Sequence, residues 1–334
     1  MSYKATLMPG DGIGPEVCKS AVEIVKAVGV DIEWEKVPLG LSALELHKSP
    51  LPEVTLESVR RTRLALKGPT GTPVGKGFKS VNVGLRMAFG LFANIRPVRS
   101  FVGVPARYDN IDLRIIRENV EHFYVGKDRF SKDRLTGRNT GIVTYRGSSR
   151  LMSAAFEDAK KHGLTKVTAV TKANIVKIEE IFLDAARDLS HGYSGIELEE
   201  KLIDNMCMQL VMNPYQFQVI AAPNLYGDIL SDLCAGMIGG LGLAPGANIG
   251  TDGAVFEAVH GTAWDLAGQD KANPSAVILS AVMMLEYLDE TVAANRITKA
   301  LEEVLEDGTY VTGDINKRSP VGTERMTQAI IDRL

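Results

Sequence analysis

The stretch YKATLMPGDGIGPEVCKSAVEIVKAV, residues 3–28, predicts a strand, a glycine turn and a helix in succession. The residues from Tyr3 to Met8 are rich in apolar side chains, and apolar side chains recur at helical spacing from Glu16 to Val28. The turn between them, Gly10–Gly14, has the spacing GxGxG rather than the GxGxxG of dinucleotide-binding turns. We therefore interpret it as a tight strand-to-helix turn in which glycine supplies positive φ angles.

Strands and helices continue to alternate along the rest of the chain. We predict further strands at residues 31–37, 64–66, 91–98, 113–116, 141–145, 166–171 and 217–221, and further helices at 39–47, 54–62, 149–162, 176–189, 229–239, 276–288, 291–305 and 322–334. The glycine-rich segment 239–246 is predicted to be a loop. This alternation is typical of an α/β fold with a largely parallel sheet and helices on both faces.

The character of the sequence changes from Leu91 onward. We interpret residues 98 to about 245 as an inserted second domain. Within it, residues 127–139 are polar and basic, which predicts an exposed excursion from the domain.

The composition excludes several classes of protein. With 38 Lys and Arg against 41 Asp and Glu, the formal net charge is −3, and nothing favours a nucleic-acid partner, which usually needs a clustered basic face. No uncharged apolar run reaches the ~20 residues that span a bilayer, and the first residues do not resemble a secretory signal. The odd set Cys18, Cys207 and Cys234 lacks CxxC spacing, which favours reduced thiols and a cytoplasmic location.

Three arginines lie in apolar or strand-like surroundings, namely Arg86, Arg96 and Arg117. Burying a guanidinium is costly unless an anion or a carboxylate pairs with its charge. The arginines could converge on a polyanionic substrate, or each could form a separate structural ion pair. Ser80 and Asn82 precede Arg86 on one predicted helix, where Ser80 could equally be the helix cap.

Three aspartates form a second candidate cluster. Asp228 and Asp232 lie one helical turn apart, where like charges repel. A divalent cation shared with Asp204 would relieve that repulsion, and oxygen ligands without His or Cys favour Mg²⁺ or Mn²⁺ over zinc. The alternative is a pair of ordinary exposed aspartates on a helix face.

Lys172 follows a predicted strand, in the position where α/β proteins often place functional groups. A metal and other cations nearby would lower the pKa of such a lysine, as a general base requires, but a solvated surface lysine is the alternative. Tyr124 could be a buried core tyrosine. The segment from His260 to Asn273 reads by itself as a polar loop that leads into a helix.

In combination and order, these residues resemble the β-decarboxylating dehydrogenases of the isocitrate and isopropylmalate dehydrogenase family. The resemblance covers nearly the whole chain. It rests on the motifs GDGIGPE at 10–16, ANIRP at 93–97, REN at 117–119, KAN at 172–174, NLYGD at 224–228 with SD at 231–232, the glycine loop 239–250, and HGTA at 260–263 with NP at 273–274.

The resemblance implies a two-domain, three-layer α/β/α sandwich with a mixed sheet, which is not a Rossmann fold. Residues 1–98 and 245–334 would form a large cofactor-binding domain, and 99–244 a small domain with a dimerisation arm near 127–150. A homodimer is implied, with a tetramer as a further possibility. Its active sites would lie in the interdomain clefts, and Lys172 and Asp204 would come from the neighbouring subunit.

The resemblance also implies a role for each candidate residue. Arg86, Arg96 and Arg117 would bind substrate carboxylates, together with Ser80 and Asn82. Lys172 would act as the base and Tyr124 as the acid. Mg²⁺ or Mn²⁺ would be held by Asp204, Asp228 and Asp232, and NAD by Thr72, Glu257, His260, Gly261, Thr262, Ala263, Asp265, Leu266 and Asn273.

Within the family, the pair Ser80 and Asn82 resembles the isocitrate enzymes, because polar side chains there would reject the isopropyl group of 3-isopropylmalate. Homoisocitrate is the alternative substrate and 3-isopropylmalate the next. Asp265 and Leu266 stand where NADP-dependent relatives have Lys and Tyr, which favours NAD because an aspartate repels a 2′-phosphate. A noncatalytic regulatory subunit is a separate alternative.

This sequence departs from the family pattern at three positions. Val120 stands where Ser or Thr is usual, His122 is unusual between Glu121 and Tyr124, and Trp264 replaces a proline. A hydroxyl lost at Val120 would alter the preference for the substrate's γ-group.

Overall fold

The computed structural model describes residues 2–71 and 80–334. These residues divide into two compact units, the first from Met1–Phe89, Ser100–Asn110 and Ala235–Leu334, and the second from Gly90–Arg99 and Ile111–Cys234. The domain limits predicted at 98/99 and 244/245 differ from this division. At the first limit the reason is a non-local pairing, because Ala93–Arg99 pairs with Asp112–Glu118 inside the second unit.

Helices and strands alternate along most of the chain. In chain order they are β1 Tyr3–Met8, α1 Gly14–Ala27, β2 Ile32–Lys36, α2 Leu41–His47, α3 Glu53–Thr62, β3 Leu64–Lys67, α4 Val81–Ala88, β4 Ala93–Arg99, β5 Asp112–Glu118, β6 His122–Phe130, β7 Gly137–Ile142, α5 Tyr145–Lys161, β8 Lys166–Thr171, α6 Glu180–Ser190, β9 Glu197–Leu202, α7 Ile203–Met212, β10 Val219–Ala222, α8 Asn224–Met237, β11 Ala247–Ile249, β12 Ala254–Glu257, α9 Ser275–Tyr287, α10 Thr291–Asp307 and α11 Thr323–Ile331. Among the described residues, no helix is long and apolar enough to cross a membrane.

The first unit contains a mixed sheet in the order β2-β1-β3-β12-β11. β1 is parallel to β2 and β3, β12 is parallel to β3, and β11 is antiparallel to β12. Helix α1 packs against α9 and α11 and presents Val17, Ala21 and Ile24 at helical spacing to the core, where they are fully buried. Because β1, β3 and β12 are parallel, their carboxyl ends meet at one edge of the sheet.

The second unit contains a mixed sheet in the order β4-β5-β10-β8-β9. Only the β4–β5 pairing is antiparallel among these described strands. Helices α5 and α6 cover the sheet and place Met152, Phe156 and Phe182 in its apolar core. Because β8 and β9 are parallel neighbours, the residues that follow them emerge side by side.

Strands β6 and β7 form an exposed antiparallel hairpin in the second unit. It contains the excursion predicted at 127–139. The strand predicted at 141–145 was partly wrong, because β7 ends at Ile142 and α5 begins at Tyr145, one turn earlier than expected. The cause is Thr144, whose hydroxyl accepts a hydrogen bond from the Gly147 N–H at 3.0 Å and caps the helix.

The glycine turn after β1 packs backbone against backbone. Gly10 and Gly12 have φ angles of 72° and 58°. A Cβ at Gly12 would lie 1.9 Å from the carbonyl oxygen of Thr262, and one at Gly10 would lie 2.1 Å from that of Pro69. The interpretation of these glycines as a tight turn is confirmed, and the turn brings the loops at 68–71 and 260–263 against the start of α1.

Asp11, between these glycines, is buried and holds the loops together. Its carboxylate accepts backbone hydrogen bonds from Leu41 at 2.8 Å, Ser42 at 2.9 Å and Gly71 at 2.8 Å. It therefore caps α2 from a distant part of the chain.

Asp11→Ala should lower the free energy of unfolding by about 2–4 kcal/mol, because buried backbone N–H groups lose their acceptor. Urea unfolding followed by circular dichroism measures this. Asp11→Asn, which keeps one amide oxygen, should lose less, and Asp31→Ala at an exposed position should stay within about 0.5 kcal/mol of wild type. Equal stability of Asp11→Ala and Asp31→Ala would contradict the capping role.

Candidate active site

Arg117 lies on β5 in the second unit and is almost fully buried. Its Nε and Nη2 donate to Asn224 Oδ1 at 3.1 and 2.8 Å, and its Nη1 donates to Asp228 Oδ1. A Cβ at Gly227 would lie 2.6 Å from the Cβ and Cγ of Arg117. Glycine at the start of α8 therefore allows the helix to approach the arginine closely.

Arg96 lies on β4, the antiparallel neighbour of β5. Its Nε donates to Asn94 Oδ1 at 2.6 Å and its Nη1 to Ser231 Oγ at 2.5 Å. The same Nη1 lies 3.8 Å from a carboxylate oxygen of Asp228 and of Asp232. Arg96 and Arg117 thus share Asp228, whose negative charge offsets part of the cost of burying both guanidinium groups.

The remaining oxygen of Asp228 binds a phenol. Tyr124 Oη, on β6, donates to Asp228 Oδ2 at 2.7 Å, and the guanidinium of Arg117 lies 5.5 Å from the centre of the Tyr124 ring. Burial raises the pKa of Tyr124, and the hydrogen bond to Asp228 raises it further. With 45% of its surface exposed, Tyr124 is not a core tyrosine.

Asp232 lies one turn after Asp228 on α8. Burial raises its pKa, and the charge of Asp228 adds to the rise although Arg96 opposes it. Two carboxylates in this relation fit the oxygen-only ligand set of Mg²⁺ or Mn²⁺. Among residues 2–71 and 80–334, however, no group of three His, Cys, Asp or Glu side chains could hold a metal ion. Asp204 therefore does not complete a site with Asp228 and Asp232 in one chain.

Asp204 lies instead beside Lys172. Lys172 follows the end of β8 and Asp204 follows the end of β9, so the parallel pairing of these strands brings the two residues together. Lys172 Nζ donates to Asp204 Oδ1 at 2.6 Å, and this hydrogen bond lowers the pKa of Asp204. The predicted site residues of the second unit therefore form two charged centres, one at Asp228 and one at Lys172.

In the first unit, Arg86 belongs to a buried cluster around Glu257. Lys67 Nζ donates to Glu257 Oε2 at 2.5 Å, Asn248 Nδ2 donates to Oε1 at 2.8 Å, and Arg86 Nη2 lies 3.7 Å from Oε1. Burial alone would raise the pKa of Glu257, but Lys67 and Arg86 lower it to about 2. Arg86 Nε is buried and has no hydrogen-bond partner among the described residues.

Ser80 and Asn82 lie at the start of α4. Ser80 occupies the N-cap position, but its hydroxyl makes no capping hydrogen bond, so the structure does not assign it a capping role. The Thr70 hydroxyl donates to Asn82 Oδ1 at 3.3 Å. Thr72, a predicted cofactor residue, lies outside the described residues.

A cavity of about 560 Å³ in the first unit adjoins the loop after β12. Four of the predicted cofactor residues line it, namely His260, Ala263, Leu266 and Asn273. Burial lowers the pKa of His260, and Lys67 lowers it further. Gly261, Thr262 and Asp265 belong to the same loop without lining the cavity.

The amino-acid sequence from residue 4 to residue 330 matches the model of the family described as isocitrate/isopropylmalate dehydrogenase. The chain belongs to this family.

Relatives support the assignment over nearly the whole length. The chain is 44% identical to a Drosophila melanogaster protein named probable isocitrate dehydrogenase [NAD] subunit alpha, mitochondrial, over 95% of this chain and 84% of that protein. It is 47% identical to 3-isopropylmalate dehydrogenase, chloroplastic, from Solanum tuberosum, over 91% and 86%. The crystal structure of isocitrate dehydrogenase from Methylococcus capsulatus superimposes with a TM-score of 0.97 at 47% identity, covering 99% of both chains. The α/β fold predicted from the resemblance is confirmed.

Sequence reasoning missed several polar residues of these sites. Lys67 and Asn248 hold Glu257, and Asp314 lines the cavity, where it accepts a hydrogen bond from Asn273 Nδ2 at 2.9 Å. A lysine that ends the apolar strand LALK at 64–67 was the available signal, because an uncompensated lysine is rarely buried.

Glu257→Gln should lower the free energy of unfolding at pH 7 by about 3–5 kcal/mol, because Lys67 and Arg86 lose their buried counter-charge. The pKa of Glu257 is about 2 in the folded protein against an ordinary 4.5, so its contribution is complete above pH 4.5 and is lost as the pH falls towards 2. In the variant, the acid-side loss of stability should therefore become shallower.

The matched control is Glu33→Gln, which breaks the exposed pair with Lys4 and should cost less than about 1 kcal/mol. Urea unfolding between pH 2 and pH 7 measures both variants. The same pH dependence in Glu257→Gln and wild type would show that Glu257 does not carry the acid sensitivity.

Proposed function

We propose that this chain catalyses the metal-dependent oxidative decarboxylation of isocitrate to 2-oxoglutarate and CO₂, with reduction of NAD. The observation that carries the proposal is the arrangement around Asp228, where two buried arginines, a phenol and a second carboxylate meet. This reaction needs cations that bind the carboxylates of the substrate, a proton donor, and oxygen ligands for a metal ion.

The arginines are proposed to bind the carboxylates of the substrate. Arg96 and Arg117 present guanidinium groups that are fixed by Asn94 and Asn224, so their direction is set before a ligand arrives. In the first unit, the buried Nε of Arg86 has no partner among the described residues, which supports a role in anion binding. The Ser80 hydroxyl and the Asn82 amide are proposed to bind the γ-carboxylate of isocitrate.

Lys172 is proposed to take the proton of the substrate hydroxyl, and Tyr124 to protonate the carbon that loses CO₂. A phenol with the ordinary pKa of about 10 is already protonated near neutral pH, as a proton donor requires, and the raised pKa of Tyr124 keeps it so. Asp228, Asp232 and Asp204 would hold Mg²⁺ or Mn²⁺, which when bound supplies Lewis-acid stabilisation of negative charge on the substrate oxygens.

NAD is proposed as the hydride acceptor, bound at the cavity beside His260 and Asn273. Asp265 lies exposed on that loop, where a carboxylate would accept hydrogen bonds from ribose hydroxyls and repel the 2′-phosphate of NADP. The name of the Drosophila relative includes NAD, which agrees with this choice.

A homodimer with shared active sites is proposed as the working form. Helix α7 exposes Met208, Val211 and Met212, and α8 exposes Ile229. Exposed apolar side chains on α7 and α8 support an interface with a second copy. In that dimer, Lys172 and Asp204 of one subunit would complete the site at Asp228 of the other. The cytoplasmic location and a tetramer remain predictions.

The purified protein with Mg²⁺ should form NADH from isocitrate, with kcat/KM at least about 100-fold higher than for 3-isopropylmalate, because Ser80 and Asn82 would be left unpaired beside an isopropyl group. Initial rates at 340 nm with isocitrate, homoisocitrate and 3-isopropylmalate, each with NAD and NADP, measure this. Preference for homoisocitrate would assign the pocket to Val120 and its surroundings. Preference for NADP would overturn the role of Asp265, and no turnover would favour a regulatory subunit.

Lys172→Ala and Asp228→Asn should each be inactive alone, but mixing them with exchange of subunits should restore about a quarter of the wild-type activity. When equal amounts of the two variants pair at random, half of all dimers are heterodimers. One of the two sites of each heterodimer then has both Lys172 and Asp228 intact, so a quarter of all sites are active. Steady-state rates after co-refolding of equal amounts measure the recovery. The control is either variant refolded alone, and no recovery on mixing would place both residues in the site of one chain.

A further inference from the structure

Glu179 is a carboxylate with no solvent-exposed surface, at the end of a single 3-10 turn before α6. Its Oε1 accepts hydrogen bonds from His122 Nε2 at 3.0 Å and from the Tyr226 hydroxyl at 2.9 Å. Its Oε2 accepts the backbone N–H of Lys172 at 2.6 Å. A buried carboxylate is tolerated only when donors surround it in this way.

The donors to Glu179 come from separate elements of the second unit. His122 begins β6, Lys172 follows β8, and Tyr226 lies in the first turn of α8. Lys172 is itself a residue that the proposed reaction uses, and the other two donors each lie two residues before such a residue. His122 precedes Tyr124 by two residues, and Tyr226 precedes Asp228 by two. One carboxylate therefore anchors elements that serve two sites of the proposed dimer. It holds the proposed base, which would act in the partner's site, and it holds the strand and the helix that carry the proposed acid and a proposed metal ligand of this chain's own site.

The backbone at His122 shows that this connection is held against strain. His122 has a φ of 70°, in the left-handed region that glycine adopts freely and that costs a residue with a side chain backbone strain. Its ring is buried, packs edge-on against Tyr226 at 5.4 Å between centroids and lies 4.3 Å from the ring of Phe123. Since Nδ1 has no partner among the described residues, the bond from Nε2 to Glu179 is the ring's polar anchor.

We propose that Glu179, with His122 and Tyr226, is a positioning residue for the reaction proposed above, on which this inference rests. It has no exposed surface from which to contact a substrate or a cofactor. It holds the Lys172 backbone at the end of β8 and, through His122, the start of the strand that carries Tyr124. A displacement of about 1 Å at reacting groups can lower a rate 100-fold, so loss of Glu179 should act on the chemical steps.

The test compares Glu179→Ala with Glu180→Ala in the full-length protein. Glu180 is the exposed neighbour of Glu179, and its side chain pairs with Lys177 at 3.0 Å on the protein surface. We expect Glu179→Ala to lower kcat by about 100-fold while KM for isocitrate stays within about twofold, because the hydrogen bonds of Glu179 go to other residues than Arg96 and Arg117. Glu180→Ala should match wild type in both constants. Glu179→Gln, whose amide oxygen can still accept the Lys172 N–H, should recover part of kcat.

A second variant, His122→Gly, keeps the test decisive where Glu179→Ala does not fold, because glycine relieves the strained φ while removing the imidazole. We expect a kcat about tenfold below wild type. We also expect slower exchange of the C3 hydrogens of 2-oxoglutarate with deuterated solvent, a reaction followed by NMR that reports the proton transfer assigned to Tyr124. A merely structural role would lower the melting temperature and leave both rates of the folded protein unchanged.

The wild-type rate separates the two possible failures. Wild-type turnover of isocitrate with unchanged kcat in the folded Glu179 and His122 variants would overturn the positioning role and leave the proposed function intact. No turnover by wild type would overturn the proposed function and this inference with it. A rise of KM in parallel with the fall of kcat would overturn the positioning role and assign Glu179 to substrate binding instead.

Discussion

The cost of burying guanidinium groups governs the arrangement of charge in both units. Arg96 and Arg117 are held inside the second unit by amides and by the carboxylate of Asp228, and Arg86 is held in the first by Glu257. A buried charge that lost its partner would be strongly destabilising, so any ligand that takes a carboxylate away must bring an anion in return. If the proposed function holds, isocitrate and a divalent cation satisfy this condition together. The carboxylates of the substrate would pair with the arginines, and Asp228 would bind the cation instead.

Local sequence determined a large part of the fold. The glycine turn, the apolar periodicity of α1 and the strand before Lys172 are short-range features, and each was predicted at its observed place. Strand β9 was missed because its sequence ELEEKL is mostly charged and only half-buried, so it lacks the apolar alternation of a strand. The short strands β11 and β12 were missed for a different reason, since they are defined by pairing with each other and with β3 rather than by composition.

The candidate site could be predicted in its residue types but not in its connections. That Arg96 and Arg117 share Asp228 depends on the antiparallel register of β4 and β5 and on the entry of α8, and neither is encoded in nearby residues. Glu179 lay in no motif, and its importance comes from partners 57 and 47 residues away along the chain. His122 was recognisable as a departure from the family pattern, but its meaning required the contact with Glu179.

The exposure of the proposed metal ligands is the physical argument for a site shared between two chains. In the single chain, Asp204 is 67% exposed and Asp232 61% exposed at their side chains. Charges in contact with water interact weakly, and a cation held by such carboxylates would keep much of its hydration. The proposed chemistry needs those groups covered, and the exposed apolar side chains of α7 lie on the helix that carries Asp204. Burying that helix against a second copy would therefore exclude water from the charged groups. The same contact would bring Asp204 of one copy close to Asp228 and Asp232 of the other.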